Sequence, residues 1–422
     1  MQLPDRREVL YLYPMDWPLH DVSALLAAWP SGEPLLALAG NGNFAIVAFE
    51  WEEMPARDAY AYPLRLNKPM VPMPALPFHH GVIAIVPYDD AVPARFFKVH
   101  SALVIDRTRG VAQITGAATA ASISRASEMI EAQSQSAPLP LAKPTAIRAH
   151  GSDSDYLAMV RSALGDIRAG QFYQINLLRY FSVLADTLPS AWIAARLAAW
   201  SGPYGAWLRV PGLELVSFSP ERFVAFEQHG DGLHASTHPI KGSAAASTDP
   251  SADLAARVAL AASKKDAAEL AMIVDLMRND LGRIAMRGTV AVPDRGSLAS
   301  FRGIHHRMAT VTATLAPDLT LADFIAALCP GGSITGAPKI AAMAAIRSYE
   351  GRQRGVFMGN LLVWDHATGR FDSSILIRTM ARTQPAMPFE YAAGSGIVVA
   401  SDPHAESDEI QAKTSVLTGG GG

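Results

Sequence analysis

The sequence predicts a mixed α/β fold, and three observations carry that prediction. Apolar runs bounded by turn residues, FAIVAFEW (44–51) and GVIAIVPYDD (81–90), read as strands. Leu157, Val160, Leu164 and Ile167 recur at helical spacing. FYQINLLRYFSV (172–183) then alternates, with Tyr173, Ile175 and Leu177 on one side and Gln174 and Asn176 on the other.

Each segment has a place in order. Residues 1–131 read as short strands with turns, HSALVIDRTRG (100–110) running from strand into turn, and the Pro-rich loop 69–74 separating neighbours. Residues 132–153 are rich in Ser, Gln and Pro and read as a linker or surface connection. From 154 to 418 the chain becomes rhythmic. Its first helix has Ser or Asp upstream as a cap and Gly170 as a stop. Residues 419–422 are a flexible glycine tail by composition, an end or a connection to a further domain.

Composition excludes several classes. The 422 residues carry 36 Lys and Arg against 39 Asp and Glu, a net charge of −3, so nucleic acid finds no electrostatic footprint. Half of the residues are hydrophobic and the charge is nearly balanced, whereas disordered chains have little apolar content and a large charge imbalance. The uncharged stretch from Pro34 to Phe49 is too short to span a membrane and is broken at Gly40-Asn41-Gly42-Asn43. The N-terminus mixes charge and has no apolar signal region. A single thiol, Cys329, excludes an internal disulfide and a multi-cysteine metal site. The expectation is a soluble cytoplasmic protein with no nucleic-acid or membrane partner.

Five segments can carry chemistry. Asp266 and Glu269 share one face of a helical stretch at i, i+3. SDPHAESDEIQAK (401–413) opens with Ser401 or Asp402 as cap and Pro403 at the first helical position, and then sets Glu406, Glu409 and Lys413 on one face. Either alone reads equally as a solvated helix face; two acidic faces together suit Mg²⁺, which takes oxygen ligands and keeps waters. GGSITGAPK (331–339) approaches a phosphate loop but has Ala337 where the lysine should stand, which rejects ATP and leaves a turn whose amides could hold a carboxylate, with Lys339 nearby. Gly394 and Gly396 permit close backbone approach, or mark a β-bulge. Lys241 stands alone in the uncharged stretch THPIKGS (237–243); a desolvated lysine there could act as nucleophile or base. There is no G-x-S-x-G elbow and no H-E-x-x-H, and Cys329 reads as a buried structural thiol.

Taken in order, GQFYQINLLRYF, SFSPERFV, THPIKGS, KDAAELAMIVDLMRNDLGRI, IHHRMATVTATL, CPGGSITGAPKIAAM, FDSSILIRTM and GSGIVVASDPHAESDEIQAK resemble the chorismate-utilising enzyme family. The resemblance implies a large sandwich of mainly antiparallel sheets flanked by helices, with Mg²⁺ and chorismate bound between them. It implies Glu269 and Glu406 as direct Mg²⁺ ligands, with Asp266 and Glu409 supporting them. Arg378, Thr335, Gly394 and the Gly396 amide region would hold substrate carboxylates, with Lys413 beside them. Glu221 would be the general acid for the departing C4 hydroxyl, and His306 would lie near the enolpyruvyl group.

Two positions choose the branch. Members that add water at C2 carry a lysine where this chain has Gln174, so the resemblance is to the amine-using members. Among those, P-I-K-G with Lys241 is similar to the branch that aminates C4, in which the lysine attacks C2 before ammonia adds at C4. The anthranilate-forming branch is the alternative; isochorismate or salicylate formation and a non-catalytic chorismate-binding relative are further ones. His238, Ser243 and the run 244–247 depart from the family pattern, and Phe357 stands where the aromatic residue near substrate is often Tyr or Trp. With no suitable thiol for glutamine hydrolysis, ammonia is expected from a separate glutaminase subunit, or is taken up free.

Overall fold

A computed structural model describes residues 13–18, 22–30, 32–41, 44–65, 76–133, 146–184, 190–200, 202–301 and 304–418. The Pro-rich loop 69–74 and the glycine tail lie outside them. All strand pairings of the described residues form one hydrogen-bonded network. The pairs that join early strands to later ones, Gly81–Val86 with Asn360–Asp365 and Leu35–Asn41 with Tyr204–Val210, are both antiparallel. Strands from the first 131 residues therefore complete sheets begun by the rest of the chain. The expected linker is partly sheet: Ala146–Ala149 pairs antiparallel with the Gln174–Leu184 strand from Leu184 to Phe181.

The layering follows from apolar residues on both faces of the strands. In Leu35–Asn41, Leu35, Ala37 and Ala39 face one core, while Leu36 and Leu38 face another. Ala45 and Val47 divide from Ile46 and Ala48 in the same way. A strand buried on both faces reads as a continuous apolar run, which is what FAIVAFEW is. The core holding Leu36, Ile46, Phe97, Leu208 and Leu361 is sheet against sheet. The other two cores pack sheet against helices, one including Val160, Leu164, Ile346 and Ile410, the other Ile273, Met277 and Phe324.

Helix ends obey the expected signals. Asp153–Arg168 is capped by Ser152, which exchanges hydrogen bonds with Asp155, and Gly170 follows it at φ +77°. Lys264–Gly282 is capped by Ser263. Asp402 accepts the His404 and Ala405 amides at 3.0 and 2.9 Å, so it is the cap of Pro403–Thr418. No helix of the described residues is long and apolar enough to cross a membrane.

Candidate active site

The floor of the site is a pair of strands. Gln174–Leu184 lies antiparallel to Phe389–Val398 without a break, setting Asn176 opposite Gly396 and Leu178 opposite Gly394. That unbroken register excludes the bulge reading of the two glycines. Ile175 and Leu177 enter the helix-covered core, and Gln174 and Asn176 take the opposite face, as the alternation predicts. A β-carbon on Gly396 would lie 3.4 Å from Gln174 Nε2 and 3.8 Å from Lys241 Nζ. One on Gly394 would lie 2.5 Å from Asn176 Oδ1 and from Leu178 Cδ2, too close to exist. The glycines keep open the space these polar groups face.

Gln174 is 2% exposed, and neither atom of its amide has a hydrogen-bond partner in the protein. Asn176 Oδ1 is likewise buried and unpartnered. An unpaired buried polar group costs about 1–3 kcal/mol, so two such amides side by side point to a ligand that pairs them.

Lys241 comes from the Ile240–Ala245 strand, whose pairing with Ile304–Thr314 shifts register between Ile240 and Ser243. Gly242 sits in that irregularity at φ +83°, and a β-carbon there would meet Asp266 Cγ at 2.7 Å. The first turn of Lys264–Gly282 thus packs directly on the backbone beside Lys241, and Glu269 follows on the same helix. Ser243 Oγ and His306 Nδ1 share a hydrogen bond of 2.7 Å. Burial pushes the His306 imidazole below its ordinary pKa, and Arg378 and His305 act in the same direction.

The acidic faces meet in part. Burial pushes Glu269 above the usual carboxylate range; Lys241 and Lys265 oppose that, and Asp266 and Glu406 add to it. Glu406 is 6% exposed and accepts a short hydrogen bond from Ser395 Oγ. Glu409 is exposed and pairs with Lys413 at 2.6 Å, and Lys413 Nζ also donates to the Gly394 carbonyl at 2.7 Å. Among the described residues, no group of three or more His, Cys, Asp or Glu side chains is placed to hold a metal ion. A set of two mutually repelling carboxylates, Glu269 and Glu406, still fits Mg²⁺, which commonly takes one or two protein carboxylates and fills its shell with water and an anionic substrate.

Glu221 and Arg378 complete the charged wall. Burial raises the Glu221 carboxyl; Lys241, a hydrogen bond from Ser333, Lys413 and Arg378 hold it down, in that order. Burial lowers the Arg378 guanidinium, against the pull of Tyr391 and Glu221. Arg378 lies over the Trp200 ring at 5.9 Å. Its backbone is left-handed, at φ 49°.

Three expected residues have other surroundings. The buried Thr335 hydroxyl donates to the Gly331 and Gly332 carbonyls at 3.0 and 3.2 Å, so its proton serves the turn itself. Lys339, expected near an anion, is paired with the buried Asp280 at 2.7 Å. Phe357 is 5% exposed and sits edge-on to Tyr180 in the apolar core, 6.0 Å between ring centres. It also lines a cleft of about 400 Å³ with Arg352 and Arg382, whose lining does not include Lys241. A larger cleft of about 690 Å³, beside Arg222 and Asp372, contains none of the candidate residues. Burial pushes the Cys329 thiol up to about 12, which keeps it protonated and inert. The residues missed from sequence are Asn176, Ser333 and Ser395. Asn176 was discoverable, because it shares the polar face of Gln174; the two serines carry no local signal.

From the Gly81–Val86 strand to the last helix the chain bears one family's imprint. The model of the chorismate binding enzymes matches residues 81–419, and the chain belongs to that family. Among curated relatives, aminodeoxychorismate synthase component 1 of Salmonella typhimurium is 34% identical over 356 residues, covering 80% of this chain and 76% of that protein. The protein of the same name from Klebsiella aerogenes is 39% identical over 282 residues, covering 66% of this chain and 60% of that one. The match thus spans well under the full length of those relatives. Anthranilate synthase component I from Streptococcus pneumoniae shares the fold at TM-score 0.71 and 24% identity, over 99% of this chain and 93% of that one.

Proposed function

We propose that the chain is the chorismate-aminating component of an aminodeoxychorismate synthase. It would replace the C4 hydroxyl of chorismate with the nitrogen of ammonia, giving 4-amino-4-deoxychorismate on the route to p-aminobenzoate and folate. The observation that carries this reading is the convergence of Lys241 Nζ and Gln174 Nε2 over Gly396, with Glu221 and Glu269 within electrostatic reach of Lys241.

In this reading the Lys241 nitrogen attacks C2 through its lone pair as the C4 hydroxyl departs. Glu221, whose carboxyl is raised by burial, gives the proton that lets it leave as water. Ammonia then adds at C4, the C2–Nζ bond breaks, and the proton shed by the incoming nitrogen returns to Glu221. Arg378 would grip a substrate carboxylate through its two-pronged guanidinium. The lowered pKa of His306 keeps its imidazole neutral beside the enolpyruvyl group. Gln174 and Asn176 would hydrogen-bond substrate or ammonia, satisfying their unpaired amides. Glu269 and Glu406 would hold Mg²⁺, with Asp266 and Glu409 supporting through water; when bound, the ion supplies positive charge for substrate orientation and for the leaving oxygen. Ammonia would come from a separate glutaminase subunit, since the sole thiol here is inert.

The test is product identification by mass spectrometry with chorismate, Mg²⁺ and ammonium. 4-Amino-4-deoxychorismate is expected. Anthranilate, or binding without turnover, would overturn the reading.

A further inference from the structure

The Gln174–Leu184 strand has one complete edge, paired from Gln174 to Val183 by Phe389–Val398. Its other edge is filled only at the ends. Near the start, Gly336 and Ala337 pair with Ile175 and Gln174, and the Asn176 amide reaches the Thr335 carbonyl at 2.8 Å. Near the far end, Ala146–Ala149 pairs up to Phe181, and the His150 amide reaches the Tyr180 carbonyl at 2.8 Å. In between, among the described residues, no strand takes the Asn176 carbonyl or the Leu178 amide.

Two side chains take them instead. Arg354 Nη2 donates to the Asn176 carbonyl at 2.7 Å, and Glu350 Oε1 accepts the Leu178 amide at 2.9 Å. The two are joined fork to fork, Nη2 to Oε1 at 2.6 Å and Nε to Oε2 at 2.9 Å, and each side chain is 1% exposed. Arg354 Nη1 also donates to the Ile334 carbonyl at 2.9 Å, one residue before Thr335. A single guanidinium therefore ties the strand bearing Gln174 and Asn176 to the turn bearing Ser333, which helps to hold down the Glu221 carboxyl.

Stability alone does not call for this arrangement, since apolar residues of similar volume commonly replace a buried ion pair without loss. They could not, however, offer a planar set of donors and an acceptor to three backbone groups at once. We propose that Arg354 and Glu350 are positioning residues, a side-chain substitute for a missing strand segment that sets Gln174 and Asn176 against Lys241. As a statement about turnover, this rests on the amination reading above.

The test uses Arg354→Lys, whose single ammonium cannot span Asn176, Ile334 and Glu350 in one plane. If it fails to fold, Glu350→Gln, which keeps an acceptor for Leu178, carries the same measurements. Hydrogen exchange is expected to rise about tenfold at 174–178 and 331–336 and to stay unchanged at 181–184. In the chorismate and ammonium assay, kcat is expected to fall roughly 30-fold with KM changed less than about threefold, and that loss should shrink to less than about threefold in a Gln174→Ala background. Unchanged exchange at 174–178, or an equal loss in both backgrounds, would overturn the proposal. If wild-type protein makes no aminated product, the amination reading falls by itself, and the exchange arm still decides the positioning role.

Discussion

Lys241 Nζ and Gln174 Nε2 face the same point in space, 3.8 and 3.4 Å from where a side chain on Gly396 would begin. They arrive on strands that do not pair with each other. One is a lysine nitrogen within reach of two carboxylates, the other a buried amide with no partner in the protein. That combination is costly for folding and useful for holding a reactant.

Gly396→Ala places a methyl at that point without a backbone clash, since both distances are ordinary contacts. The variant is expected to keep its thermal midpoint within a few degrees. Its kcat/KM for chorismate should fall roughly 100-fold, because the methyl displaces the reactant. Full activity would show that the space above Gly396 is not the reacting centre.

Lys241→Ala removes the proposed nucleophile while leaving the carboxylates. C4 amination is expected to drop on the order of 10³-fold or more, read by mass spectrometry of the product. Unchanged turnover would remove the covalent role.

Ser395→Ala deletes the hydroxyl that orients Glu406. The Mg²⁺ concentration giving half-maximal activity should rise roughly 10- to 100-fold. Chelation should abolish wild-type activity and added Mg²⁺ restore it. Activity indifferent to chelation would dismiss the metal role of Glu269 and Glu406.

Gly242→Ala forces a side chain into left-handed backbone and against Asp266. A loss of about 1–3 kcal/mol is expected from the denaturant midpoint. A neutral result would mean that the helix and strand beside Lys241 are free to move apart.

Asp253 supplies a pH test. The Ser247 amide and then the His305 imidazole hold its carboxyl below the usual range. A depressed folded pKa gives stability that is present above the ordinary carboxylate value and is lost as pH falls through the folded one. The thermal midpoint of Asp253→Asn should therefore lie below wild type near neutral pH, with the gap closing as pH falls below the ordinary carboxylate range. A gap that widened in acid would contradict the assignment.

Much of this was legible along the chain. The Ser152 cap, the Gly170 stop and the polar face of Gln174 and Asn176 are set by sterics and hydrogen bonds within a few residues, so local spacing reveals them. Less legible was the use each candidate group makes of its reach. Glu409 looked like Glu406 on the helix face, but Lys413 engages it one turn later. Thr335 looked available in a glycine-rich turn, but the turn consumes its hydroxyl proton. Phe357 looked like a substrate neighbour, but packing against Tyr180 claims it.

The sequence by itself determined the family, the strand and helix periods and the acidic and lysine-bearing segments, because these depend on residue order and on contacts within a turn or two. Only the tertiary structure decided that Lys241 and Gln174 share one space and that Asp266 packs on Gly242. It also decided that Arg354 and Glu350 fill the open edge of the Gln174–Leu184 strand. Those relations follow from strand register and helix docking between distant parts of the chain. A shift of one residue in register would turn Lys241 or Gln174 to the other face of its strand.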